Sequence, residues 1–180
     1  MARTAAADCN DDDLRARCES IVNAAERMLR TAGHLMVVAE TSKTTSPTVF
    51  DARGIIAGVV DDYREMGVHI GVRFETRQPI LLDSSPATLE ALLCSLLGNA
   101  IDHGGPDEVT VRVRSDETAC EVRVENSISH SLKHRGIGLG TYIGGKLVEE
   151  MSGTLHAERT EATFGVTFRV PLAHRMQVAV

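Results

Sequence analysis

The run LLCSLLGNAIDHGG, residues 92–105, carries an apolar helical stripe of Leu92, Leu93, Leu96, Leu97, Ala100 and Ile101. Asn99, Asp102 and His103 crowd its last turn, and Gly104-Gly105 stop it. Further along, RGIGLG at 135–140 places Gly136, Gly138 and Gly140 at alternate positions just ahead of a second helical pattern. An asparagine side-chain oxygen is a hard, neutral ligand of the kind Mg²⁺ takes when phosphates and waters complete its shell. Glycines at a loop-to-helix junction let backbone N–H groups approach an anion, and the helix adds its positive end. Facing one cleft, the two features would hold an Mg²⁺-nucleotide. Each also has a purely structural use, as an amide bonding nearby backbone or as glycines closing a turn. His103 is open to both readings, as a lining residue or as a helix-end imidazole favoured by the dipole.

These groups need a scaffold, and the hydrophobic period supplies one. PTVFDA reads as a short strand, RGIIAGVVDDYREM (53–66) as an amphipathic helix ended by Gly67, and VHIGVRFE (68–75) and PILLD (79–83) as strands. Ser84-Ser85-Pro86 is a helix start, so the Asn99 helix is expected over 86–103. EVTVRVRS (108–115) and ACEVRVEN (119–126) alternate around DET and predict an antiparallel hairpin with its valines on one face. A loop over 127–140 leads to the helix TYIGGKLVEEM, and GTLHAERT and FGVTFRVPLA close the chain as strands. The order predicts an α+β fold, a two-layer α/β sandwich with helices on one face of a mixed, mostly antiparallel sheet.

Ahead of this lies a different pattern. Residues 1–13 are small and acidic, and read as a disordered N-terminus. From Leu14 the residues Cys18, Ile21, Ala25, Met28, Ala32, Leu35 and Ala39 continue a heptad seam, widened by Val22, Leu29 and Met36. A helix over 14–40 with that face needs a partner, which predicts a homodimer through this helix, packing on a further helix, or folding back on the rest of the chain. TSKTTSP, 41–47, is a linker by composition. The expected divisions are therefore 1–13, 14–40, 41–47, a nucleotide-binding unit over 48–174, and a tail over 175–180.

Composition narrows the classes. A hydrophobic share of 43% supports a core, and with no Trp, two Tyr and four Phe that core must be aliphatic. A net charge of −6 without a basic stripe argues against nucleic acid as a partner. Cys9, Cys18, Cys94 and Cys120 show no metal-ligand spacing and fit reduced thiols in a cytoplasmic protein. No apolar run is long enough to span a bilayer, and the N-terminus lacks a signal core.

With these residues in view, the chain over 48–172 resembles the catalytic and ATP-binding domain of sensor histidine kinases, within the Bergerat-fold (GHKL, HATPase) superfamily. LLCSLLGNAIDHGG is similar to its N box, VRVENSIS stands in the place of its first glycine box, and RGIGLGTYIGGKLVEEMSGTL is similar to its second. The helix over 14–40 resembles the second helix of the dimerisation and phosphotransfer bundle. The resemblance implies ATP and Mg²⁺ as cofactors, with Asn99 as the metal ligand and His103 flanking the nucleotide. Asn126, Arg135, Gly136, Gly138, Leu139 and Gly140 would complete the nucleotide site. It implies phosphoryl transfer to a histidine, and as partners a response regulator or a histidine-bearing kinase domain. No residue is assigned as a catalytic group.

The departures from that family matter. Asn126 stands where it usually has an Asp accepting from the adenine amino group; a carboxamide oxygen also accepts, without the charge that strengthens such bonds. Ser95, four residues before Asn99, stands where hydrolysing members and anti-sigma serine kinases have a general-base Glu, a task serine cannot perform at neutral pH. A histidine acceptor needs less help, since neutral imidazole is already nucleophilic. Asp102 takes a place often basic near the phosphates, with Lys133 and Arg135 able to compensate. No phosphoacceptor box is present; His34 is the one histidine of the heptad helix and falls off its seam. These departures together support the alternative of a degenerate, non-catalytic adaptor or phosphotransfer protein that docks a response regulator.

Overall fold

The computed structural model describes residues 47–104, 109–128 and 139–173. The expected N-terminus 1–13, the heptad segment 14–40, the linker up to Ser46 and the tail lie outside them, as do Lys133, Arg135, Gly136 and Gly138. Seven strands and three helices follow in the order β1 (Thr48–Asp51), α1 (Ala52–Glu65), β2 (Ile70–Phe74), β3 (Leu81–Ser84), α2 (Pro86–His103), β4 (Val109–Ser115), β5 (Ala119–Ser127), α3 (Leu139–Glu150), β6 (Thr154–Arg159) and β7 (Thr163–Pro171).

Five strands form one sheet in the order β2-β4-β5-β7-β6, while β1 and β3 make a separate two-stranded ribbon. The β2–β4 pair is parallel and the others antiparallel. A parallel pair needs a long crossover, and the chain between Phe74 and Val109 supplies it with β3 and α2. The predicted hairpin forms with Val111 opposite Val124 and Val113 opposite Val122.

Helix starts follow the capping residues. Asp51 accepts from the Arg53 N–H at 3.1 Å and also from the Ile80 N–H at 3.0 Å, fastening α1 to the approach of β3. Ser85 caps α2, with Pro86 in its first turn, so the helix occupies the span its sequence announces. Gly67, at φ +84, ends α1 in the left-handed region that suits glycine.

The three helices cover one face of the sheet. Ile56, Val60, Leu89, Leu92, Leu93, Leu96, Leu97 and Leu147 are buried against Val111, Val113, Val122 and Phe168. The core is aliphatic apart from Phe168, as the composition requires. Alternation sends Arg112, Arg114, Glu121, Arg123 and Glu125 to the other face, where ion pairs join Arg114 to Glu121 at 2.7 Å and Arg123 to Glu125 at 2.6 Å. Strand and helix ends shift by one or two residues from the sequence reading, and Ser127, expected in the loop, ends β5. The loop expected to run to Gly140 gives way to α3 at Leu139, because Gly140, which read as loop, lies in the helix's first turn.

Candidate functional site

Three polar chain segments meet at one edge of the helical layer: the last turn of α2, the first turn of α3 and the end of β5. The last two turns of α2 place Ser95 and Asn99 one turn apart on the same face. That face meets the start of α3 so closely that a Cβ at Gly140 would overlap the Nδ2, Cγ and Oδ1 atoms of Asn99. Ser95, only 3% exposed, donates from its hydroxyl to the Gly140 carbonyl at 3.3 Å. Asn99 and the last of the three glycines are therefore adjacent, as a shared site requires.

The Asn99 side chain is half-buried, and no hydrogen bond among the described residues engages it. A structural amide in that position would be spent on a neighbour. Beside it, the N–H groups of α3's first turn have no partner within the helix. A carboxamide oxygen next to a helix N-terminus is a donor set that fits a hard cation accompanied by phosphate. Among the described residues no cluster of three or more His, Cys, Asp or Glu could hold a metal on protein ligands alone.

The end of α2 also reaches β5. Gly104 forms an isolated antiparallel bridge with Ile128, and a Cβ on Gly104 would lie 3.4 Å from the Asn126 amide nitrogen. Asn126 follows Val122 and Val124 on the helix-covered face and is 3% exposed. Its Nδ2 donates to the Ser127 carbonyl at 2.7 Å, which fixes the amide. Ser127, next along the strand, points to the other face by alternation. Its hydroxyl is buried without a hydrogen-bond partner among the described residues. His103 is exposed on the last turn of α2, and Asp102 is half-buried beside it. Leu139 opens α3.

Thiol chemistry finds no support here. Burial, with Glu90 and Asp62 nearby, pushes the Cys94 thiol up to about 11, and burial with Glu121 pushes Cys120 up to about 12. A hollow on the outer sheet face lies between Arg112, Arg114, Arg123, Glu121, Glu125 and Glu158. Its charges are largely matched by ion pairs across the strands, which makes it a solvated face. Sequence reasoning missed two contacts at the site, those of Ser95 with Gly140 and of the Asn126 amide with Ser127. A signal for the first was present: a hydroxyl among leucines on a buried face has to find an acceptor.

Residues 84–174 match the family model described as "Histidine kinase-, DNA gyrase B-, and HSP90-like ATPase". Among solved structures, the catalytic domain of histidine kinase ThkA is similar at a TM-score of 0.59 and 21% identity, covering 71% of this chain and 98% of that one. Histidine kinase AdeS of Acinetobacter baumannii reaches a TM-score of 0.63 at 13% identity, covering 91% and 86%. ThkA in complex with the response regulator protein TrrA gives 0.65 at 20% identity, covering 91% of this chain and 53% of that one. No curated protein sequence matches the chain. At these identities the structural likeness speaks for the fold.

Proposed function

The chain belongs to the histidine kinase-, DNA gyrase B- and HSP90-like ATPase family, and from that premise we propose that it is the ATP-binding catalytic domain of a sensor histidine kinase. In this reading it transfers the γ-phosphoryl group of Mg²⁺-ATP to a histidine on a separate phosphoacceptor element. The observation that carries it is the Asn99 amide, engaged by no hydrogen bond among the described residues, lying against Gly140 at the start of α3. Asn99 would hold the metal, whose charge neutralises the phosphates when it is bound. The first-turn N–H groups of α3 would face phosphate oxygens, which is the positioning and charge stabilisation that phosphoryl transfer needs. Asn126, its amide fixed by the Ser127 carbonyl, offers its oxygen to the amino group of adenine. In this reading His103 would flank the nucleotide, Arg135 (with Lys133) would offset the charge of Asp102, and Gly136 and Gly138 would belong to the phosphate-facing segment.

Ser95 supports the choice of acceptor. Its hydroxyl already donates to Gly140, and no carboxylate stands in its place to deprotonate water or a serine. A neutral imidazole needs no such base. The partners proposed are a response regulator and a histidine-bearing helical bundle, with the heptad segment 14–40 joining two copies in the cytoplasm. No helix among the described residues is long and apolar enough to cross a membrane.

Calorimetry with Mg²⁺-ADP and Mg²⁺-ATP tests this directly. Binding is expected, and ligand at one hundred times its Kd should raise unfolding stability by about 2.7 kcal/mol through linkage. Absence of heat and of thermal shift at millimolar nucleotide would overturn the kinase reading. That result would favour the adaptor reading, which Asn126 in place of a carboxylate and Asp102 near the phosphates motivate.

A further inference from the structure

We propose that Ser95 is a positioning residue of the nucleotide site: its hydroxyl pins the first turn of α3 to α2, so that the Asn99 amide and the N–H end of α3 are presented together. The proposal rests on the nucleotide reading above. Gly140 is the shared point. Its carbonyl accepts from Ser95, and the space left by its missing side chain is filled by the Asn99 amide. One turn further on, Gly144 faces Leu92 and Leu96 of α2, where an added Cβ would sit 3.3 Å from Leu96. Two glycines four residues apart thus bring the α3 backbone down onto α2, and only that closeness lets a short serine side chain reach a helix carbonyl.

The geometry gives Ser95 a task without contact to ligand. Phosphate drawn to the N–H end of α3 would pull on the same turn whose carbonyl Ser95 holds. With the bond in place, the turn keeps its distance from Asn99; without it, the turn is held to α2 by packing, at a helix end, where fraying starts. The sequence position that carries a base in hydrolysing relatives is used here as a fastening.

Ser95→Ala and the nearly isosteric Ser95→Cys both remove the strong donor, and Ser95→Thr keeps a hydroxyl. Hydrogen exchange without nucleotide reads the fastening at the amides of Ile143 and Gly144, whose helical acceptors are the carbonyls of Leu139 and Gly140. Exchange there should rise roughly fivefold in the Ala and Cys variants, the factor set by one net hydrogen bond. The Kd for Mg²⁺-ADP should rise by a similar factor, and the Thr variant should restore both. Unchanged exchange would overturn the fastening. Faster exchange with a wild-type Kd would leave Ser95 a structural residue only and overturn its positioning role. If the wild-type chain itself fails to bind Mg²⁺-ADP, the nucleotide reading falls and takes the positioning role with it, while exchange still decides the fastening.

Discussion

At Gly165 and at Gly140 a polar side chain from another element lies where a Cβ would be, yet the two side chains are used in opposite ways. On the outer sheet face the Arg123 guanidinium covers Gly165, with a Cβ there 2.7 Å from its Nη2. That guanidinium is engaged, pairing with Glu125 at 2.6 Å and Glu158 at 3.2 Å. At the helix layer the Asn99 amide covers Gly140 and pairs with nothing among the described residues. Both are close approaches permitted by glycine, but one ends in ion pairs and the other in an amide that no hydrogen bond among the described residues engages. A polar group held in place and left unspent is the mark of a site; one held in place and saturated is the mark of a surface.

This contrast can be broken by substitution. The largest effect is expected for Asn99→Ala, which should weaken Mg²⁺-ADP binding at least about 100-fold, the upper range for removing a group that only supports a metal ligand. Calorimetry reads the affinity, and the unfolding midpoint should hardly move because no hydrogen bond among the described residues is lost. Wild-type affinity in this variant would erase the distinction between the two glycines.

Gly140→Ala comes next. The added Cβ must displace the Asn99 amide, the far end of a flexible side chain, so the structural cost is small. Helix propensity even favours alanine by up to about 1 kcal/mol. Affinity for Mg²⁺-ADP should nonetheless fall on the order of tenfold, giving a chain as stable as wild type that binds poorly. Parallel thermal melts and titrations would show whether stability and binding separate in this way.

Gly165→Ala is the matched control on the other face. It should push Arg123 off its carboxylates, and since partly exposed ion pairs contribute little, the cost should stay within about 1 kcal/mol. Nucleotide affinity should be untouched; a loss would mean that the outer lattice communicates with the site.

The smallest effect concerns pH. The backbone N–H of Thr118, helped by the Thr118 hydroxyl, the Ala119 N–H and Arg169, holds the Asp116 carboxyl well below the usual carboxylate range. A carboxyl depressed by folding adds stability above its unfolded pKa, near 4, and gives it up as pH falls through that value toward the folded one. Asp116→Asn should therefore flatten the acid limb of the urea midpoint below about pH 4 and leave neutral pH unchanged in slope.

Much of the fold was legible because it rests on local signals. Helix α2 runs over Pro86–His103 as its cap and leucine period require, and the β4–β5 hairpin follows the alternation of its valines. The separation of β1 and β3 into their own ribbon was not legible, since strand periodicity says nothing of which strands pair. At the site, Asn99 and the glycine turn were readable as residue types suited to one ligand. The start of α3 at Leu139 was hidden by the glycines that make it useful.

What the sequence alone determined is chemical: an amide at the end of an apolar helix, a serine where a base could have stood, and an asparagine at the end of a valine strand. What only the tertiary structure decided is which of these groups is spent. Among the described residues Ser95 is bonded to Gly140, Asn126 is fixed by the Ser127 carbonyl, and no hydrogen bond engages Asn99. Whether a polar atom is available depends on what lies within three ångströms of it, and across forty-odd residues of chain that distance is set by how closely two helices pack.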